Sequence, residues 1–136
     1  MKYNTGLLNQ YWTDIYFHLR YNHHDKISHQ AVRILQLIEK RDSIGVGEVA
    51  ENLEVSHNTA SEHIKRLIEK GWVLKERSSH DERKVHLRLT KEGEKVLHRN
   101  SSLDEVKLKQ ILESLPIEDA ENIFQSLQLL SECARR

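Results

Sequence analysis

Apolar residues recur at three- and four-residue steps through most of this chain, and only one stretch near its middle changes to a two-residue alternation. Leu7, Leu8, Tyr11, Trp12, Ile15 and Leu19 form one stripe, which predicts a first helix with a single buried face. The polar run Tyr21 to Lys26 breaks it. Ser28 suits the N-cap of a second helix, in which Ala31, Ile34, Leu35 and Ile38 repeat until Arg41-Asp42-Ser43. Ile44 to Val46 reads as a short strand. Glu48 to Leu53 follows as a short helix with Val49, Ala50 and Leu53 inward, Ala50 being small enough to admit a crossing helix. Glu54-Val55-Ser56 makes the turn, with Glu54 where glycine is usual, a departure costing on the order of 1 kcal/mol. Ser56 caps the next helix, whose Ala60, Ile64, Leu67 and Ile68 share an arc until Gly71 ends it.

The alternation then appears. Trp72–Arg77 and Lys84–Leu89 read as antiparallel strands joined by a loop of turn formers from Ser78 to Arg83. Thr90 caps a long fifth helix that starts at Lys91, passes Val96 and Leu97, kinks at Asn100-Ser101-Ser102 and continues to Leu115. Pro116 is expected in the first turn of a last helix carrying Ile117, Ile123, Phe124, Leu127 and Leu130. The fold class is therefore mainly α with a small β wing: a winged helix-turn-helix flanked by N- and C-terminal dimerisation helices. Few functions other than reading DNA need that order. The apolar stripes of the last two helices exceed what so small a unit covers, which implies pairing with a second copy.

Composition leaves that reading standing. At 136 residues, 38% hydrophobic and 31% charged, with one Pro and five Gly, the chain suits one folded domain in water. No continuous apolar run predicts a membrane span or a signal peptide, and the expected location is cytoplasmic. Cys133 is the only cysteine, which fits a reducing compartment. Net charge is zero, which at first opposes a nucleic-acid partner. The distribution restores it: Glu54 to Lys91 holds nine Lys and Arg against six Asp and Glu, and Glu92 to Arg136 holds six against nine.

The helix after the turn supplies the candidate readers. At about 100° per residue, Asn58, Glu62, Lys65, Arg66 and Glu69 lie opposite its apolar arc. Asn58 is the best base reader, because an amide both donates to and accepts from adenine in the major groove. Ser56, Thr59 and Ser61 are short hydroxyls suited to phosphate, Lys65 and Arg66 are phosphate contacts, and His57 is a further DNA candidate. Glu62 is useful only by accepting from the cytosine amino group or by pairing with Lys65 or Arg66. At the wing tip Arg83 is assigned to the minor groove, with Lys84 and Arg77 as secondary phosphate contacts.

Asp81-Glu82-Arg83 followed by Leu87 and Leu89-Thr90-Lys91-Glu92-Gly93, together with Val55–Ser61 and Leu67–Val73, resemble the MarR family of transcription regulators over nearly the full chain. That resemblance implies a single domain over 1–136, with the winged helix-turn-helix at 44–90 and dimerisation helices at 1–27 and 91–136. It implies a homodimer whose two heads bind double-stranded DNA at a pseudo-palindromic site with half-sites about 10 base pairs apart. It also implies that Asp81 braces the wing arginine, and that a repressor of this kind is released by a small-molecule effector.

Two other function classes compete. An enzyme would need a paired Cys-x-x-Cys, His-Glu-x-x-His, glycine-rich phosphate cradle or serine elbow, and none is present, so no catalytic residue and no cofactor is expected. A winged-helix module that binds protein rather than DNA is the alternative favoured by zero net charge and by Glu62. Within the DNA-binding class, His18, His23, His24, Asp25, His29 and His98 raise a zinc-responsive regulator, since imidazole and carboxylate suit zinc. The resembled zinc sensors carry two histidines one turn apart on the fifth helix, which this chain lacks, so no metal ligand is assigned. The redox-sensing branch places its cysteine in the first helix, where this chain has none.

Overall fold

The computed structural model describes residues 2–77 and 84–136. The chain divides into two compact units, one spanning Tyr21–Ser102 and the other combining Met1–Arg20 with Leu103–Arg136.

The central unit contains α2 (His29–Lys40), α3 (Val46–Leu53), α4 (His57–Glu69), β1 (Val73–Arg77), β2 (Val85–Leu89) and α5 (Lys91–Ser101). Its core joins Ile34, Leu35 and Ile38 of α2 to Val49 and Ala50 of α3, Ala60, Ile64 and Leu67 of α4, Val73, Leu87 and Leu89 of the strands, and Val96 and Leu97 of α5. Burying each large aliphatic side chain contributes roughly 1.5–3 kcal/mol, so α2 and α5 stabilise the reading unit as much as the helix-turn-helix does. β1 and β2 pair antiparallel, with Val73 opposite Leu89, Lys75 opposite Leu87 and Arg77 opposite Val85.

Local signals place most boundaries. Ser28 Oγ accepts from the Ala31 amide at 3.1 Å and Ser56 Oγ from the Thr59 amide at 3.1 Å, as their N-cap positions predict. α4 ends with Gly71 at φ 78°, where the Trp72 amide donates to Leu67 O at 3.0 Å and the Gly71 amide to Ile68 O at 2.9 Å. This is a Schellman ending, with glycine at its left-handed position. α3 ends the same way around Glu54, at φ 56° and ψ 44°: the Val55 amide donates to Ala50 O and the Glu54 amide to Glu51 O. The turn of the helix-turn-helix is thus a Schellman ending built on a glutamate.

Three local expectations change. Ile44 to Val46 forms no strand, because Gly45 is the extended N-cap of α3 and Val46 is already helical; Ile44 O joins the wing by accepting the Leu87 amide at 2.8 Å. The fifth helix is two helices, α5 and α6 (Glu105–Ser114), separated by extended Ser102. Asp104 restarts the chain by accepting from the Val106 and Lys107 amides, so a strong cap replaces the kink. Pro116 is the N-cap of α7 (Ile117–Ala134), one position before the first turn.

The second unit holds α1 (Thr5–Leu19), α6 and α7. Arg20 and Leu103 make an antiparallel bridge, and the Asp104 amide donates to Leu19 O at 2.7 Å. None of its helices has a buried residue. Trp12 is 53% exposed, Phe124 69% and Leu130 65%, so the apolar stripes read from sequence face outward in the single chain.

Candidate nucleic-acid interface

The candidate interface is built around α4. Ala60, Ile64 and Leu67 anchor one side of the helix in the core, and α3 crosses behind it, so the opposite arc is exposed on a rigid support. His57, Asn58, Thr59, Glu62, Lys65 and Arg66 are exposed there, and Ser61 is half-buried. Ser56 and Thr59 are occupied with each other: the Ser56 hydroxyl donates to Thr59 Oγ1 at 2.9 Å while accepting the Thr59 amide. That leaves the Thr59 hydroxyl proton as the free donor of the pair. Among the described residues Glu62 makes no ion pair, with Lys65 and Arg66 included. Its carboxylate and that of Glu69 therefore stand along the middle of the exposed face.

Lys84 is exposed immediately before β2. Asp81 and Arg83 lie outside the described residues. The strands leading to them are tied by Glu76, which lies directly opposite His86 and accepts from His86 Nε2 at 3.2 Å while pairing with Arg88 Nη1 at 3.2 Å. His86 Nδ1 is buried without a hydrogen-bond partner among the described residues.

Two long-range positioning contacts were not foreseen from the sequence, although Thr90 was expected as a cap and Asp25 as a candidate zinc ligand. Thr90 Oγ1 accepts the Gly93 amide at 3.0 Å, capping α5, and its hydroxyl donates to Gly71 O at the end of α4. One side chain thus joins the end of the recognition helix to the element after the wing. The Leu-Thr-x-x-Gly motif is the signal that could have shown this coupling. Asp25 is held by Arg99 through two bonds, Nε at 2.8 Å and Nη2 at 3.2 Å, and by Asn100 Nδ2 at 3.2 Å. The hydrogen bonds from Arg99 keep the Asp25 carboxyl below its ordinary pKa and, in return, hold the Arg99 guanidinium above its own. Only the opposite charges of positions 25 and 99 hinted at the pair.

The same contacts occupy the histidine-rich segment. The His23 ring accepts the Asp25 amide at 3.2 Å, and His98 Nε2 lies 2.9 Å from the Tyr21 hydroxyl. Among the described residues no group of three or more His, Cys, Asp or Glu is placed to hold a metal ion.

A rigid recognition helix, a glutamate-based turn and a two-stranded wing define a winged-helix transcriptional regulator. The family model for transcriptional regulator SarA/Rot matches residues 19–100, almost the whole central unit, and the chain belongs to that family. It is 27% identical over 100 residues to the HTH-type transcriptional regulator YfiV of Bacillus subtilis, a match covering 74% of this chain and 62% of that protein. A second curated relative from the same organism is likewise spanned over only 61% of its length. The fold is that of a MarR-like transcriptional regulator (tm0816) of Thermotoga maritima, at a TM-score of 0.65, 18% identity and coverage of 100% and 99%. It is also that of Streptococcus pneumoniae FabT, solved in complex with DNA, at 0.58, 23% identity and coverage of 97% and 98%. Among the described residues no helix is long and apolar enough to cross a membrane.

Proposed function

We propose that this chain is a cytoplasmic, homodimeric, sequence-specific DNA-binding regulator, acting as a repressor at a pseudo-palindromic site and released by a small-molecule effector. The observation that carries the reading is the outer arc of α4, whose Asn58 is exposed and unengaged on a helix fixed by the core. Asn58 reads a base. Thr59, Ser61, Lys65 and Arg66 meet the backbone, with Ser56 and His57 at the helix entry and Lys84 and Arg83 on the wing, Asp81 bracing the latter. The exposed apolar faces of α1, α6 and α7 supply the dimer contact, which sets the two heads about one helical turn apart. FabT's complex with DNA supports the partner class.

Selection of bound sequences from random duplex DNA by the purified chain tests partner, symmetry and spacing together. The expected result is a two-fold symmetric site about 10 base pairs between half-site centres, with affinity falling steeply with salt. A monomer that enriches no sequence would overturn the reading.

A further inference from the structure

Three basic residues of the recognition helix, His63, Arg66 and Lys70, share one flank, with Lys65 on the other. His63, Arg66 and Lys70 follow Thr59 at four-, three- and four-residue steps, placing all four on one side of α4. There His63, Arg66 and Lys70 line a notch of about 230 Å³ whose rim Lys26 and the capping Ser28 complete at the start of α2. Trp72 closes one side, with Lys70 Nζ 4.9 Å from the centre of its ring, a cation–π contact that holds the ammonium at the rim.

Three fixed cations and an imidazole line this notch, and no carboxylate does. In a chain with 21 basic and 21 acidic residues, that is a local separation of charge. The first turn of α2 contains no acidic residue either, so apart from the Ala31 amide, which Ser28 caps, its partial positive charge is not offset by a carboxylate of that turn. Along the middle of α4, by contrast, Glu62 and Glu69 repel phosphate. A helix lying in a major groove meets base edges along its middle and phosphates along its flanks, which matches an acidic midline beside a basic flank.

We infer that Lys26, Ser28, His63, Arg66 and Lys70 form a seat for a phosphate of the DNA backbone beside the groove that α4 enters, so that α2 contributes directly to the interface. The inference rests on the DNA-binding reading above. It assigns the notch the role of fixing how α4 lies in the groove, with no part in choosing bases.

Binding of the selected duplex by the full chain is measured against salt for the wild type, Lys26→Gln/Lys70→Gln and a remote control, Lys40→Gln. The seat predicts a slope of log affinity against log salt shallower by about 0.9 per lost phosphate contact in the double variant, the control unchanged. The selected sequence stays the same. A scan with single neutral methylphosphonate linkages should find one position in each half-site that weakens the wild type and leaves the double variant unaffected. Equal slopes in proteins of equal thermal stability overturn the seat while leaving DNA binding intact. So does notch-dependent binding of inorganic phosphate with no sensitive linkage, which would give the notch to a free anion. A wild type that binds no duplex removes the functional reading itself.

Discussion

The carbonyl of Trp72 occupies the space that a side chain at Gly93 would need. A methyl group there would overlap the carbonyl oxygen and lie 2.9 Å from its carbon. That carbonyl also accepts the Thr90 amide at 3.0 Å, so α5 begins in direct backbone contact with the start of the wing. Gly93→Ala should therefore destabilise the chain by about 2 kcal/mol, the steric cost exceeding the helix propensity alanine gains. Urea unfolding with an unchanged m-value measures it, and a variant as stable as the wild type would refute the contact.

Gly71 and Glu54 end consecutive helices with the same hydrogen-bond pattern, yet only one is glycine. Glu54→Gly should raise stability by up to about 1 kcal/mol, because the left-handed conformation costs an L residue more than glycine loses in chain entropy. Thermal unfolding of this variant beside Glu54→Ala separates relief of the backbone from loss of the side chain, since only glycine should raise the midpoint.

Asp25 carries a pH dependence. Its pKa is lowered on folding by the Arg99 hydrogen bonds, so its stabilisation is complete above the unfolded value of about 3.9 and disappears as pH falls through the lower folded value. Asp25→Asn should cost on the order of 1 kcal/mol at neutral pH, a figure kept small because the Arg99 side chain is 36% exposed. The difference between variant and wild type should shrink below about pH 4. A gap that does not narrow at all as the pH is lowered to the acid limit of folding would show that the pair does not titrate as described.

Asn58→Ala should relax preference at one position of each half-site, by about 1–3 kcal/mol of discrimination, while leaving the salt slope unchanged. Arg83→Ala should instead weaken binding chiefly where the flanks are A·T-rich. Competition between defined duplexes distinguishes the two, and uniform losses across all sequences would reassign both residues to backbone contact.

Phe124 is 69% exposed on α7, within the apolar face proposed as the dimer contact. Phe124→Asp should turn a dimer into a monomer by light scattering and reduce affinity for the full site far more than for a half-site. A mass that still equals two chains would move the dimer contact elsewhere.

Caps and periodicities were legible from residues close together in the chain. Ser28, Ser56 and Thr90 act on amides three residues ahead, Gly71 answers to its own backbone, and the stripes of α2 and α4 repeat every turn, so the sequence alone determined the helix-turn-helix, the two wing strands and the outer arc of α4. What it left open depended on distant partners. Asp25 and Arg99 are 74 residues apart, Thr90 and Gly71 19, and Lys26 and Lys70 line one notch only because the start of α2 lies beside α4. The need for glycine at 93 is set by the Trp72 carbonyl, which no local pattern reveals. The division of α5 from α6 was misread because continuous helical spacing hid a competing cap at Asp104. Short-range hydrogen bonds and burial periods are encoded within a turn or two of chain; steric exclusion and charge grouping exist only once remote segments have been packed together.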